Sequence, residues 1–218
     1  MRPAESSMGA CGTKCPTRGA VVFSLAEPPN DGLITPLVHR WSRDKHHFLL
    51  RYIDAFTTAM RKKHWSGLHY IDLFAGAGIE KLTRAGTLDW GPPLIAAQAR
   101  FPFDQLHLCE RDAEKFCALS ERIRRFREGK TDRLLTGDAN QTVNDIVRSI
   151  PPNSLALSFL DPYGLHLAYD TLRSLAAIRS DLIIFFPDRL DIGRNWRAYY
   201  WDNPQSNLDS VFGTDSDW

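Results

Sequence analysis

The sequence predicts an α/β fold built on a doubly wound, mostly parallel sheet. Apolar runs such as Leu155–Leu160 and Leu182–Phe186 are nearly continuous, as strands covered on both faces require. They alternate with stretches of helical periodicity, and such alternation builds a parallel sheet through right-handed crossovers. A third observation places a ligand site on that sheet. Tyr70-Ile71-Asp72-Leu73-Phe74-Ala75-Gly76-Ala77-Gly78 runs an apolar strand straight into a two-glycine turn.

The elements follow in order. Residues 1–34 are rich in Gly, Ser, Pro and Thr, with little periodicity, and read as a mobile N-terminal tail. The domain then spans residues 35–218. A leading helix covers about residues 42–65, with Phe48, Leu49, Tyr52, Ile53, Phe56, Ala59 and Met60 on one face. Ser42 is its expected N-cap, and Ser66-Gly67 closes it. The first strand is Leu68–Phe74. A connection over Lys81–Gly91 precedes a helix over Pro92–Phe101, whose prolines fit a helix start. Strands are expected at Gln105–Glu110, Arg133–Thr136, Leu155–Leu160 and Asp181–Phe186. Helices are expected at Ala113–Arg127, Gln141–Ile150 and Tyr169–Ile178, the first with a stripe of Phe116, Cys117, Ile123 and Phe126. After Pro187 the chain turns aromatic and polar, and no further strand stands out. The sheet is therefore expected to be short, or the chain truncated.

Composition narrows the function classes. A chain of 218 residues, 43% hydrophobic and 24% charged, is long enough for one core without metal or disulfide staples. No apolar run approaches the roughly 20 residues of a membrane span. No signal-peptide core opens the chain, so a cytoplasmic protein is expected. Net charge is +1, which signals no global attraction to nucleic acid. Cys109 and Cys117 read as buried thiols of a reducing compartment. Cys11 and Cys15 make only two ligands, too few for a zinc site. His46, His47, His64, His69, His107 and His166 show no metal-ligand spacing, so no metal site is expected; His166 lies close enough to Gly164 to line the site. The run Arg122, Arg124, Arg125, Arg127, Lys130 and Arg133 reads as a solvated face, with phosphate binding as the alternative. Trp196, Tyr199, Tyr200 and Trp201 read as packed core or as a base-stacking cluster.

The chemistry concentrates at expected strand ends, where ligands of open α/β sheets bind. Asp72 precedes the turn of Phe74, Ala75, Gly76 and Gly78. The glycines let a ligand approach the backbone, although a tight turn with no ligand has the same composition. Lys81 stands where a third dinucleotide-binding glycine would be, and the helix does not follow at once. A pyrophosphate needs a helix N-terminus close behind the turn, so NAD and FAD are disfavoured. Glu110 ends the second strand, where a carboxylate accepts both hydroxyls of a ribose or is simply solvated. Asp138, followed by Ala139, accepts from an adenine amine, N-caps the next helix, or does both. Asp161-Pro162-Tyr163-Gly164 follows a buried strand. The Asp161 carboxylate and a carbonyl at the proline can accept both protons of an exocyclic amine, and the aromatic can stack on a flat ring. The same four residues also make a good turn.

Trp41-Ser42-Arg43-Asp44-Lys45, the Tyr70–Gly78 strand and turn, Gly91-Pro92-Pro93-Leu94, Gly137-Asp138-Ala139-Asn140 and Asp161-Pro162-Tyr163-Gly164 occur in that order. The ordered set, from about Thr35 to Gly213, resembles the three-Cys-motif partner protein (TcmP) family. The resemblance implies a Rossmann-like sheet of the class I methyltransferase type and S-adenosylmethionine (SAM) as cofactor. It also implies a protein partner of the three-Cys-motif, radical-SAM-like kind. Asp161–Gly164 is similar to the Asp-Pro-Pro-Tyr motif of amino-methyltransferases, with Tyr163 at the second-proline position and Gly164 at the aromatic one.

These readings converge on a SAM-dependent methyltransferase of the three-Cys-motif partner type, expected to act on an exocyclic amine of a nucleobase. In that reading Asp72, Phe74, Ala75, Gly76, Gly78, Glu110, Asp138 and Ala139 bind the cofactor. Asp161, Pro162, Tyr163 and Gly164 carry catalysis, with a nucleic acid as substrate and no membrane involved. The rival is a non-catalytic binding partner on a degenerate methyltransferase fold. A nicotinamide oxidoreductase is a distant third.

Overall fold

A computed structural model describes residues 24–186, 193–195, 197–198 and 207–213. β1 (Leu37–Val38) leads into α1 (Arg40–Met60), followed by β2 (Leu68–Asp72), β3 (Ile79–Leu82), β4 (Leu88–Trp90) and α2 (Pro92–Ala97). Then come β5 (Gln105–Glu110), α3 (Ala113–Phe126), β6 (Arg133–Thr136), α4 (Ala139–Ser149) and β7 (Leu155–Leu160). The order closes with α5 (Tyr169–Leu175), β8 (Ser180–Ile184), α6 (Gly193–Asn195) and α7 (Asn207–Phe212).

Five strands form one sheet in the order β6-β5-β2-β7-β8, and every neighbouring pair is parallel. The chain enters at the centre, winds outwards to β6, and then crosses to β7 and β8. That is the Rossmann-like, doubly wound arrangement expected from the alternation of elements, with its switch point between β2 and β7. Alternate side chains of each strand face opposite layers. Tyr70, Leu106, Leu108 and Leu157 pack against Leu49 and Ile53 of α1, Leu94 of α2 and Leu119 of α3. Ile71, Cys109, Ala156 and Leu160 pack against Val143 and Ile146 of α4 and Leu175 of α5.

A second, three-stranded sheet was not legible in the sequence. β1 pairs parallel with β3, and β3 pairs antiparallel with β4. The hairpin occupies the connection after the glycine turn. Its two ends meet, because the Gly91 N–H donates to the Gly78 carbonyl at 2.8 Å. α2 therefore begins beside the glycine turn despite the intervening residues, which corrects the spacing argument. Its start still offers a phosphate nothing. Pro92 and Pro93 have no N–H, and the Leu94 and Ile95 N–H groups both donate to the Gly91 carbonyl.

Several local expectations are corrected. α1 is capped by His39 rather than Ser42, whose N–H donates to the His39 carbonyl. Its buried face is Ser42, His46, Leu49, Ile53, Phe56 and Thr57, while Phe48, Tyr52 and Ala59 are exposed. Thr57 is tolerated there because its hydroxyl donates to the Ile53 carbonyl. α2 stops at Ala97, short of Phe101, whose position before Pro102 disfavours helix. α5 stops at Leu175 rather than Ile178. On α3 the buried residues are Ala118, Leu119, Arg122 and Ile123; Phe126 and Cys117 are exposed, so the Cys117 thiol is not a core group.

The basic run is not one solvated face either. Arg122 is fully buried and grips Asp31 through two bonds of 2.8 Å, and its Nη1 donates to the Ala77 and Ile34 carbonyls. Arg127 is buried in a similar fork with Asp132. Asp31 and Leu25 thus tie residues 24–34, grouped with the tail in the sequence, to the domain. Residues 1–23, with Cys11 and Cys15, and the aromatics Trp196, Tyr199, Tyr200, Trp201 and Trp218 lie outside the described residues. Among the described residues, no helix is long and apolar enough to cross a membrane.

His69 of β2 and His107 of β5 meet in the core, Nδ1 to Nε2, at 3.1 Å. One ring donates to the other, and the outer nitrogens, Nε2 of His69 and Nδ1 of His107, have no hydrogen-bond partner among the described residues. Burial pushes the His107 pKa down to about 4, helped by its neighbour His69, and burial also lowers that of His69. The folded protein holds these rings neutral while the unfolded chain binds protons below about pH 6.5. Their contribution is therefore fully present above that pH and is lost as pH falls towards about 4. In urea titrations, His107→Phe is expected to gain stability relative to wild type across that window, by on the order of 3 kcal/mol. A pH-independent difference between the two proteins would contradict the assignment.

Candidate functional site at the carboxyl ends of the strands

The parallel register brings the sequence-predicted residues to one edge of the sheet. Asp72 ends β2, Glu110 ends β5, Asp138 follows β6 and Asp161 follows β7. The turn between Asp72 and Gly78 is held by its backbone N–H groups, which find both side-chain and backbone acceptors. The Phe74 N–H donates to Asp72 Oδ1 at 3.0 Å, and the Ala75 N–H donates to the Cys109 carbonyl at 2.9 Å. Gly76 has φ +64°, and a Cβ there would meet nothing within 4 Å. Gly78 has φ +85°, and a Cβ there would press on Leu94 and Leu119 at 3.2–3.3 Å. Gly78 is thus a packing glycine, whereas Gly76 leaves open space above the backbone.

Glu110 spans the mouth of the turn. Its Oε2 accepts from the Gly76 N–H and its Oε1 from the Asp112 N–H, both at 2.8 Å. The carboxylate orients the turn, and the second lone pair of each oxygen remains for a ligand hydroxyl. Asp138 is the N-cap of α4, accepting from the Asn140 N–H at 2.8 Å, and Ala139 is buried behind it. Asp72 is completely buried. Burial pushes its pKa up to about 8 against the Phe74 N–H bond, and the Asp161 and Glu110 carboxylates add to the rise.

Asp161 is half-buried and paired with Lys45 of α1. The sequence contained Lys45 in an ordered motif but offered no sign that it would reach across 116 positions to this carboxylate. Pro162 is buried, Gly164 adopts φ +69°, and Tyr163 is 91% exposed. Asn140 fixes the far end of this loop. Its Nδ2 donates to the His166 carbonyl, and its Oδ1 accepts from the Ala168 N–H and the Thr171 hydroxyl. His166 contributes that carbonyl, while its ring is exposed. Asn140 was missed because a residue behind a helix cap reads as local turn chemistry.

A polar cluster that sequence reasoning did not assemble lies beside the glycine turn. His46 sits between Glu80 and Asp89, with Nε2 3.6 Å from Glu80 and Nδ1 3.7 Å from Asp89. Burial raises the Glu80 pKa, opposed by His46 and Lys45. Among the described residues no group of three or more His, Cys, Asp or Glu side chains has metal-binding geometry. The arrangement is an acidic rim around open backbone, with a cation, Lys45, on Asp161.

No family model and no curated protein matches the chain. Among solved structures it is similar to protein LPL1258 from Legionella pneumophila str. Philadelphia 1, of family model DUF519. The two are 19% identical, the match covers 54% of this chain and 54% of that one, and the TM-score is 0.42. The chain thus matches about half the length of that protein.

Proposed function

We propose that this protein is a SAM-dependent methyltransferase of the three-Cys-motif partner type, acting on an exocyclic amine of a nucleobase. The observation that carries the reading is the open backbone at Gly76 held by Glu110, with Asp161 on the neighbouring side of the switch point. Fit to the cofactor is favourable on this chain's own features. The space above Gly76 admits a ligand, and the Glu110 carboxylate at its edge suits a cationic one. Glu110 would accept the ribose hydroxyls, Asp138 and Ala139 would border the adenine, and Asp72 with the Phe74–Gly78 turn would hold the amino-acid portion. SAM supplies an electrophilic methyl group when bound. Asp161 and the Pro162 carbonyl would accept hydrogen bonds from the two amine N–H groups and so orient the nitrogen lone pair. Lys45 must leave Asp161, or share it, for an amine to bind there. A three-Cys-motif protein is the partner that the family resemblance implies.

The Lys45–Asp161 pair also favours a second reading, because it occupies the carboxylate that catalysis needs. In that reading the fold binds a partner and performs no chemistry. Calorimetric titration with SAM, S-adenosylhomocysteine and NAD separates the two. Micromolar SAM binding, weakened about tenfold or more by Glu110→Ala as expected for two lost ribose hydrogen bonds, supports the enzyme. A folded protein that binds none of the three supports the binding partner.

A further inference from the structure

A groove runs between α1 and β8, outside the acidic rim. Phe48, Tyr52 and Ala55 of α1 form one wall, Ile183 and Phe185 the other, and Arg51 stands on the lip. It is an open, largely apolar groove of about 440 Å³. The Tyr52 hydroxyl donates to Asp181 Oδ2 at 2.8 Å and ties the walls together.

The groove is continuous with Asp161. Trp41, Lys45, Phe48 and Tyr52 lie at i, i+4, i+7 and i+11 and therefore share one stripe of α1. Lys45, whose ammonium holds Asp161, sits 5.1 Å over the Phe185 ring at the groove's inner end. The next stripe holds Arg40, Asp44, His47 and Arg51. Neither Arg40 nor Arg51 has an ion-pair partner among the described residues. Phe48 is 70% exposed, a large cost in water for an aromatic with no role. Aromatic faces beside unpaired guanidinium groups are the means by which proteins hold unstacked bases and their phosphates.

We propose that this groove docks single-stranded nucleic acid, seating a base that flanks the one delivered to Asp161, with Arg51 on the connecting phosphate. The proposal rests on the methyl-transfer reading for the identity of the target base. A duplex keeps its bases stacked and cannot fill the groove. The unpaired arginines favour an anionic strand over a second copy of this chain.

The test is fluorescence anisotropy of the full chain with a labelled oligoadenylate of about 12 nucleotides, a length such platforms span. It is run at low salt, without SAM and with duplex competitor. Saturable binding that single strands compete and duplex does not is expected. Phe48→Ala should weaken it about tenfold or more, the loss expected for one base stack. Arg148→Glu, on the exposed face of α4 away from the groove, should keep it, and Arg51→Glu should weaken it and lower the salt slope by about one. These side chains are exposed, so circular dichroism should show each variant folded. Absence of binding, equal competition by duplex, or indifference to Phe48→Ala and Arg51→Glu would overturn the proposal. So would self-association in sedimentation that Phe48→Ala abolishes, which assigns the groove to a second copy. SAM binding with no oligonucleotide binding sinks the docking surface alone. Oligonucleotide binding with no SAM binding sinks the methyl-transfer reading and leaves the groove's affinity for single strands standing.

Discussion

Arg122→Met is expected to destabilise the fold by about 3–5 kcal/mol, the range seen when one partner of a buried ion pair is removed. The guanidinium is buried, and so is its partner Asp31. Methionine fills much of the volume but leaves the Asp31 carboxylate uncompensated in the core. It also strips the donors from the Ala77 and Ile34 carbonyls. Adding Asp31→Asn should recover part of the loss, because a neutral amide is cheaper to bury than an unpaired charge. Urea unfolding of the three proteins measures both effects. A loss below about 1 kcal/mol, the scale of an exposed pair, would mean that Arg122 is not buried in solution. The Ala77 carbonyl lies inside the glycine turn, so the same variant should blunt any ligand affinity that the turn possesses.

The second large effect is chemical. Under the methyl-transfer proposal, Asp161→Ala is expected to lower transfer on the order of 100-fold or more, the scale of removing a group that manages protons at the reacting nitrogen. SAM affinity should stay close to wild type, because Asp161 borders the acceptor rather than Gly76 or Glu110. Single-turnover transfer beside a cofactor titration separates the two quantities. Unchanged transfer to every accepted substrate would remove Asp161 from its assigned role.

The strands that build the main sheet were legible because each is a short apolar run bounded by turns. Gln105–Glu110, Arg133–Thr136 and Leu155–Leu160 have the bounds that the sequence predicts. The strand-end carboxylates followed from those bounds. The β3–β4 hairpin was hidden because it carries Glu80, Lys81, Thr83 and Arg84 and buries little beyond Ile79, Leu82 and Trp90. The face of α1 was misplaced towards Phe48 and Tyr52 because hydrophobicity was its only guide. The core instead takes in Ser42, His46 and Thr57, which only tertiary partners make tolerable. Arg122 looked solvated among other arginines because its carboxylate lies 91 positions away. Lys45 was overlooked for the same reason. Pairings between distant charges leave no periodic trace in a chain.

The hydrogen bond between Gly78 and Gly91 makes the hairpin a closed excursion. The chain leaves the glycine turn and returns to the place it left, so α2 and the turn do not register how long the detour is. A Cβ on Gly91 would sit 3.0 Å from the Gly78 carbonyl oxygen, so a side chain at the base would have to push that closing backbone aside. At the far end, Arg84 and Gly86 adopt left-handed backbone in an exposed turn. Lengthening a loop there costs only a logarithmic loss of chain entropy. The excursion is where this fold can accept new sequence, even a guest domain, with its base clamped and the glycine turn undisturbed.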